Sequence, residues 1–474
     1  MDPVPHAVRR AFEARSLIGP ALLLLAVFAV FTFHLDSVLI SDMDEGTYVY
    51  AGALIARGLA PYRDFMMAHP PLIAFLVAGW ARAFGPALVP LRFAYIAVVL
   101  GSTLPLYALV RRITPSSIAP VLSIVVYTSG MLLLANMGRT VRLEPLMNAF
   151  VIAGVACRFV RPRSWPWAAA MGAFFACALL VKVIALVPIG FLVLSDVAWE
   201  RPWGSWAFRW LVAGAGALVV LGPTMAWCFA QPLFVQDVFL GQVHRPGIGL
   251  GTRLHYLGQN FVRYPPVLLG LAAATAFLAR RVDYRIRSVA ALALGSTLVL
   301  VFAFKTFFNY YIVQALPWIA VSFAIALDIV MDRALGRRWV PLAVTSVLLL
   351  GLGVPLAYAE VYERAGSFHV AGPRRILPLI RDRTGYIYSM YPAFALWSGR
   401  ELYPWYYRTD SLVARINGWV GDADFEKVFE GSSALVLFAG ETDDYPLARH
   451  YAETHFDRAY EDHDWSVWVR AGER

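Results

Sequence analysis

Long apolar runs separated by short polar breaks dominate the first 360 residues. They fall near 17–34, 88–110, 118–135, 145–160, 166–181, 183–198, 208–228, 258–279, 288–304, 310–330 and 340–359. Most approach the roughly 20 residues that carry a helix across a bilayer, where a helix satisfies its own backbone hydrogen bonds without water. The pattern predicts an all-α polytopic membrane protein with about eleven spans. Arg9, Arg10 and Arg15 precede the first run and carboxylates follow it directly, so the expectation is a retained helix and not a cleaved leader.

Two regions break the rhythm. Residues 41–87 form a long loop in which Gly46 to Arg57 has amphipathic helical spacing, and a second such helix is expected after Pro70-Pro71. Both are predicted to lie along the membrane surface and wall a cavity floored by the spans. After about residue 360 the pattern shortens: GYIYSMYPAFALWSG and SSALVLFAG read as strands and YPLARHYAETHF as a helix. The expected organisation is a transmembrane domain over 1–360 and a small α/β domain over 361–474, its acidic residues mostly a solvated surface.

Composition supports the membrane reading, since 59% hydrophobic and 15% charged residues over 474 positions exceed what a soluble fold hides. A net charge of +9 invites a nucleic-acid partner, but the basic residues are dispersed between apolar runs and none is expected. Topology accounts for them. With the N-terminus in the cytoplasm, alternate loops carry Arg111/Arg112, Arg158/Arg161/Arg163, Arg201/Arg209, Arg280/Arg281/Arg285/Arg287 and Arg333/Arg337/Arg338, as the positive-inside rule requires. The protein is placed in the plasma membrane, with the carboxylates of residues 41–50 and the C-terminal domain outside the cytoplasm. Cys157, Cys177 and Cys228 lie in or beside apolar runs, which argues against a disulfide framework.

Chemistry gathers on that far side. Asp42, Asp44 and Glu45 precede the first amphipathic helix; Arg139, Arg142 and Glu144 follow the third span; Lys182 separates two spans; His244, Arg245 and His255 occupy a glycine-rich loop; Lys305 stands with Asn309, Tyr310 and Tyr311. The chain has only three lysines, and two of them fall at these helix ends, where a compact ammonium suits phosphate. Carboxylates beside cations in a cavity that opens to lipid suit single-displacement glycosyl transfer, a carboxylate as base and cations on the leaving phosphate. The Asp42-x-Asp44 spacing also suits a divalent cation, Mg²⁺ or Mn²⁺, and that reading stays open.

Asp44-Glu45 followed by Tyr48, GLAPYRDF containing Tyr62, HPPL from His69, RLEP from Arg142 and KTFFNYY from Lys305 resemble the GT-C glycosyltransferases of the protein O-mannosyltransferase and lipid A aminoarabinose transferase type. The resemblance covers roughly residues 20 to 330. It implies an inverting enzyme that moves a single sugar from a polyprenyl-phosphate donor to an acceptor hydroxyl or phosphate, on a lipid, glycan or protein, outside the cytoplasm. Asp44 is then the base by position, with Asp42 as the alternative, and Glu45 and Glu144 are further catalytic candidates. Asp42, Tyr48, Tyr62, His69, Arg142, Lys182, Lys305, Asn309 and Tyr310 are the substrate-binding candidates. The competing class is a transporter or flippase of a lipid-linked or anionic substrate, which calls for polar groups on broken helices at mid-membrane.

Overall fold

The computed structural model describes residues 21–33, 35, 43–134, 137–200, 203–334, 353, 368–438, 445–462 and 465–470. Asp42 and, apart from Gly353, the expected span at 340–359 lie outside them. The helices run α1 (Ala21–Thr32), α2 (Met43–Ala56), α3 (Leu72–Phe84), α4 (Leu88–Gly101), α5 (Thr103–Ile113), α6 (Ala119–Leu133), α7 (Leu143–Val160), α8 (Trp165–Val181), α9 (Leu186–Trp199) and α10 (Trp203–Phe229). After the single turn α11 (Gly241–Val243) come α12 (Leu250–Arg263), α13 (Pro266–Ala279), α14 (Tyr284–Leu298) and α15 (Leu316–Ala334). The chain is a multi-pass membrane protein. Among the described residues four helical stretches are long and apolar enough to cross a bilayer, and shorter apolar helices accompany them.

The apolar run expected at 258–279 is not one straight span. Tyr264-Pro265-Pro266 ends α12, because proline lacks the N–H to continue a helix and restricts the residue before it, and α13 leaves at 103° to α12. On the α10 side, Gly172 and Gly216 leave no room for a Cβ against the backbones of Ala213 and Ala169. Small residues thus let α8 and α10 pack backbone to backbone, as membrane helices commonly do.

Helix α2 departs most from expectation. It is buried on all sides from Glu45 to Ile55 and does not lie along a surface. Gly52 packs directly against Val77 of α3, and Gly46 against Pro392 and Ala393 of the C-terminal domain. The polar groups on α2 find partners inside: Thr47 Oγ1 donates to the Thr409 carbonyl at 2.8 Å, and Tyr50 Oη accepts from Leu402 N at 3.0 Å.

The C-terminal region forms the predicted small α/β unit, except that only YIYS of GYIYSMYPAFALWSG is a strand and AFALWS (Ala393–Ser398) is a short helix. Strands β1 (Tyr386–Ser389), β2 (Glu401–Leu402), β3 (Ser432–Phe438), β4 (Asp457–Glu461) and β5 (Trp465–Val469) form one sheet in the order β2-β1-β3-β5-β4. β1 runs parallel to β2 and β3, and β5 antiparallel to β3 and β4. Every residue of β3 is buried, which is why SSALVLF reads as a continuous apolar run and not an alternating one.

The segment 404–410 clamps this domain onto the loop before α3. Met66 N donates to the Tyr406 carbonyl at 2.8 Å. Asp237 Oδ2 accepts from Tyr406 Oη at 2.6 Å and from Met67 N at 3.2 Å, so one carboxylate joins three parts of the chain. Burial pushes the Asp237 carboxyl up to about 7, with the charge of Asp410 adding and the two hydrogen bonds opposing. The folded state therefore holds this proton when the unfolded chain, at the usual 3.8, has lost it. That contribution to stability is full at low pH and is lost as pH rises from about 4 to about 7. Asp237→Asn is expected to remove this component: the difference in melting temperature between wild type and variant should vary across that window, and a constant difference would contradict the assignment.

At the other end of α7, two arginines expected in basic loops lie within helices and are ion-paired. Arg158 donates through Nε and Nη2 to both Asp196 oxygens at 2.9 Å and also reaches Glu200. Arg209 donates to Glu200 at 2.8 and 3.0 Å, and Trp210 Nε1 donates to Asp196 at 3.0 Å. The side chains of Arg158 and Asp196 are fully buried. Burial of charge is costly unless it is paired and hydrogen-bonded, and this network pairs the charges across α7, α9 and α10, although Arg158 Nη1 has no acceptor among the described residues.

Candidate active site

Asp44 and Glu45 sit in the first turn of α2, where the helix dipole favours carboxylates. Neighbours on a helix diverge by about 100°, so the two acids face different surroundings. Glu45 turns inward to Arg92 of α4: Oε1 accepts from Arg92 Nε at 2.9 Å and Oε2 from Nη2 at 2.5 Å. Val141 N donates to the same Oε1 at 2.9 Å, and Arg92 Nη1 donates to the Leu35 carbonyl at 2.9 Å. The pair is buried and does not line the cavity that Asp44 faces. Asp44 turns the other way, into a cavity of about 500 Å³, and is ion-paired with Arg142 Nη1.

The sequence brings further charge to this cavity through helix ends. Arg142 is the N-cap residue of α7 and Glu144 lies in its first turn. Tyr95 Oη fixes that entry by donating to the Arg142 carbonyl at 2.8 Å. Lys182 is the residue at which α8 stops, and its Nζ donates to Glu144 Oε1 at 2.5 Å while lying 4.5 Å from the Tyr311 ring centre. The Arg142 guanidinium lies 5.3 Å from the ring centre of Tyr310, which stacks on Phe308. Two closed ion pairs, each backed by an aromatic ring, thus form one part of the charged wall.

His69 also lines the cavity, its ring 6.0 Å from that of Tyr48. Burial holds the imidazole well below its usual range, and the charges of Lys182 and Arg245 act in the same direction, so it is neutral at pH 7. Tyr62 stands behind it: its Oη donates to the His69 carbonyl at 2.7 Å, and its backbone has the unusual φ of 65°. Tyr62 shapes the loop and does not face the cavity.

A second cavity of about 490 Å³ shares His69, Lys182, Thr306 and Tyr311 with the first. Its remaining wall is largely apolar, including Ile184, Leu186, Val187, Phe239 and Phe304. Lys305 lines this second cavity, its Nζ donating to the Val243 carbonyl at 3.2 Å. Asn309 lines neither; its carbonyl accepts from Asn260 Nδ2 at 2.7 Å. Of the glycine-rich loop, Arg245, Pro246 and Ile248 face the first cavity, and Ile248 N donates to the Lys305 carbonyl at 2.8 Å, so the loop is tied down there.

The structure adds groups that the sequence did not single out. Asp410, with Tyr391, Leu412, Val413 and Ile416, forms a wall of the first cavity from the C-terminal domain. Burial and the charge of Asp44 push the Asp410 carboxyl up to about 6, with Arg245 opposing. Its sequence context, TDSLVARI, announces only a helix cap, which it also is. Arg92 carried a better signal, because an arginine inside an apolar run is a conspicuous expense. Among the described residues no cluster of three or more His, Cys, Asp or Glu could hold a metal ion.

Residues 68–227, which include α3, α7, α8 and the Arg142, Glu144 and Lys182 positions, match the family model described as dolichyl-phosphate-mannose-protein mannosyltransferase. The chain superposes on ArnT from Cupriavidus metallidurans in the apo state with a TM-score of 0.71 at 16% identity, covering 95% of this chain and 98% of that one. This is the GT-C glycosyltransferase fold. ArnT bound to undecaprenyl phosphate gives a TM-score of 0.67 at 16% identity over 96% and 98% of the two chains. The GT-C likeness extends to the oligosaccharyltransferase AglB of Archaeoglobus fulgidus in complex with an inhibitory peptide and a dolichol-phosphate, at a TM-score of 0.54, 11% identity and coverage of 98% and 75%. No curated protein matches the sequence.

Proposed function

We propose that the protein is an inverting glycosyltransferase that moves a single sugar from a polyprenyl-phosphate donor to an acceptor hydroxyl outside the cytoplasm. One observation carries this reading: Asp44 and Lys182 line the same cavity, and Lys182 stands in the wall shared with a mainly apolar second cavity. The second cavity suits the isoprenoid end of the donor, the shared wall its phosphate, and the first cavity the sugar and acceptor. The structural relatives bound to undecaprenyl phosphate and to a dolichol-phosphate support a lipid-phosphate donor.

In the proposed step Asp44 accepts the acceptor's hydroxyl proton as its oxygen attacks the anomeric carbon. The bond from that carbon to the phosphate oxygen breaks, and the electron pair leaves with the lipid phosphate. Lys182 stabilises the developing charge, with Lys305 as the second cation along the lipid cavity. Arg142 orients Asp44, and Glu144 holds the Lys182 ammonium in place. Glu45 is assigned to positioning, because both its oxygens are taken up by Arg92 and Val141. For Mg²⁺ or Mn²⁺ the fit is poor: Asp44 and Glu144 are each already paired with a cationic side chain.

Purified protein in lipid nanodiscs, given labelled undecaprenyl-phosphate sugars and an extract of the cell envelope, is expected to release undecaprenyl phosphate and label an acceptor. Uptake of intact donor by proteoliposomes without cleavage would favour transport and sink the transferase reading. Comparing envelope glycans by mass spectrometry with and without the gene then identifies the acceptor.

A further inference from the structure

The first cavity holds three carboxylates and three strong cations, and they are not equivalent. Asp44 is closed onto Arg142, and Glu144 onto Lys182. Arg245 and Asp410 face the same cavity, and the charge of Arg245 acts on Asp410, yet they form no ion pair with one another or with another described residue. Asp410 uses one oxygen, Oδ1, to accept from Val413 N at 3.3 Å, and its other oxygen has no partner among the described residues. Among the described residues the second Asp410 oxygen and the Arg245 guanidinium thus stand without partners on the cavity wall, and charged groups left unpaired there call for a ligand group to complete them.

We infer that Arg245 and Asp410 form a sugar-binding subsite in which one polyol bridges the guanidinium and the carboxylate. The charge of the open pair selects the ligand class. An anion would be repelled by Asp410 and a cation by Arg245. Adjacent sugar hydroxyls donate to the carboxylate and accept from the guanidinium at once, without net charge. The residues come from different parts of the chain, the glycine-rich loop before α12 and the C-terminal domain, so specificity is assigned to two elements outside the spans. This inference rests on the transferase reading above; the sugar belongs either to the donor or to the acceptor.

The test compares full-length wild type, Asp410→Ser, Arg245→Gln and the double variant in nanodiscs. Serine keeps an oxygen for Val413 N, since it caps helices well, and withdraws the second oxygen. Each protein is titrated with undecaprenyl phosphate and with undecaprenyl-phosphate mannose, glucose, galactose and xylose. If the donor's sugar is bound, wild type prefers at least one sugar-bearing lipid over the bare lipid by about tenfold or more. Each single variant then loses most of that preference, and the double variant loses little beyond either, because one ligand bridges both groups. If the acceptor's sugar is bound, donor preference holds, and the ratio of sugar delivered to extracted envelope glycolipid over sugar lost to water falls about tenfold in each variant. Donor preference and delivery ratio both unchanged would overturn the subsite. Wild type that binds neither bare nor sugar-bearing lipid overturns the donor reading itself, a distinct result.

Discussion

Asp44→Asn is expected to lower sugar transfer by about a hundredfold to ten-thousandfold, the range over which a positioned general base contributes, while the protein still folds and binds donor. Asparagine is nearly isosteric and still offers Arg142 an oxygen, so the cavity wall is preserved. What disappears is the ability to take the acceptor's proton. The measurement is single-turnover release of undecaprenyl phosphate from a labelled donor, with a melting curve as control. Near-normal turnover would remove Asp44 from the role and move attention to Asp42.

The neighbouring acid is expected to behave in the opposite way. Arg92→Met strands the buried Glu45 carboxylate, and removing one partner of a buried ion pair typically costs about 3–5 kcal/mol. The cost falls on α2, because Glu45 also accepts from Val141 N and so ties α2 to the segment before α7. Thermal unfolding in detergent should show a large drop in melting temperature. Combining Arg92→Met with Glu45→Leu should recover much of it, since replacing both charges removes the uncompensated carboxylate. A single variant as stable as wild type would show that the pair does not hold α2. Together the two experiments separate adjacent carboxylates, one proposed to react and one proposed to hold.

The membrane class, the C-terminal sheet and the convergence of several charged loops were legible because each rests on a local pattern. Apolar run length marks helices, SSALVLF marks a strand, and charge near a bilayer is expensive enough to be conspicuous. Asp44, Tyr48, His69, Arg142, Glu144, Lys182 and Tyr310 do line one cavity, and Lys305 lines its neighbour. The rest depended on packing that no local pattern encodes. Helix α2 reads as amphipathic, yet Gly46 and Gly52 let two other elements approach until it is enclosed. Glu45 was indistinguishable from Asp44 because its partner, Arg92, is 47 positions away. Asp410 was hidden for a different reason: its capping role explains its presence fully, so nothing in the sequence asks for a second one.

The ionic network of Arg158, Asp196, Glu200 and Arg209 has a mechanical corollary. Glu144 and Arg158 are 14 residues apart on α7, about 21 Å along its axis, so the network grips three helices at the end remote from the chemistry. A bundle stapled at its base cannot splay there to admit a bulky carrier. Any opening that admits such a carrier is therefore expected at the opposite end of the bundle, where the two cavities lie.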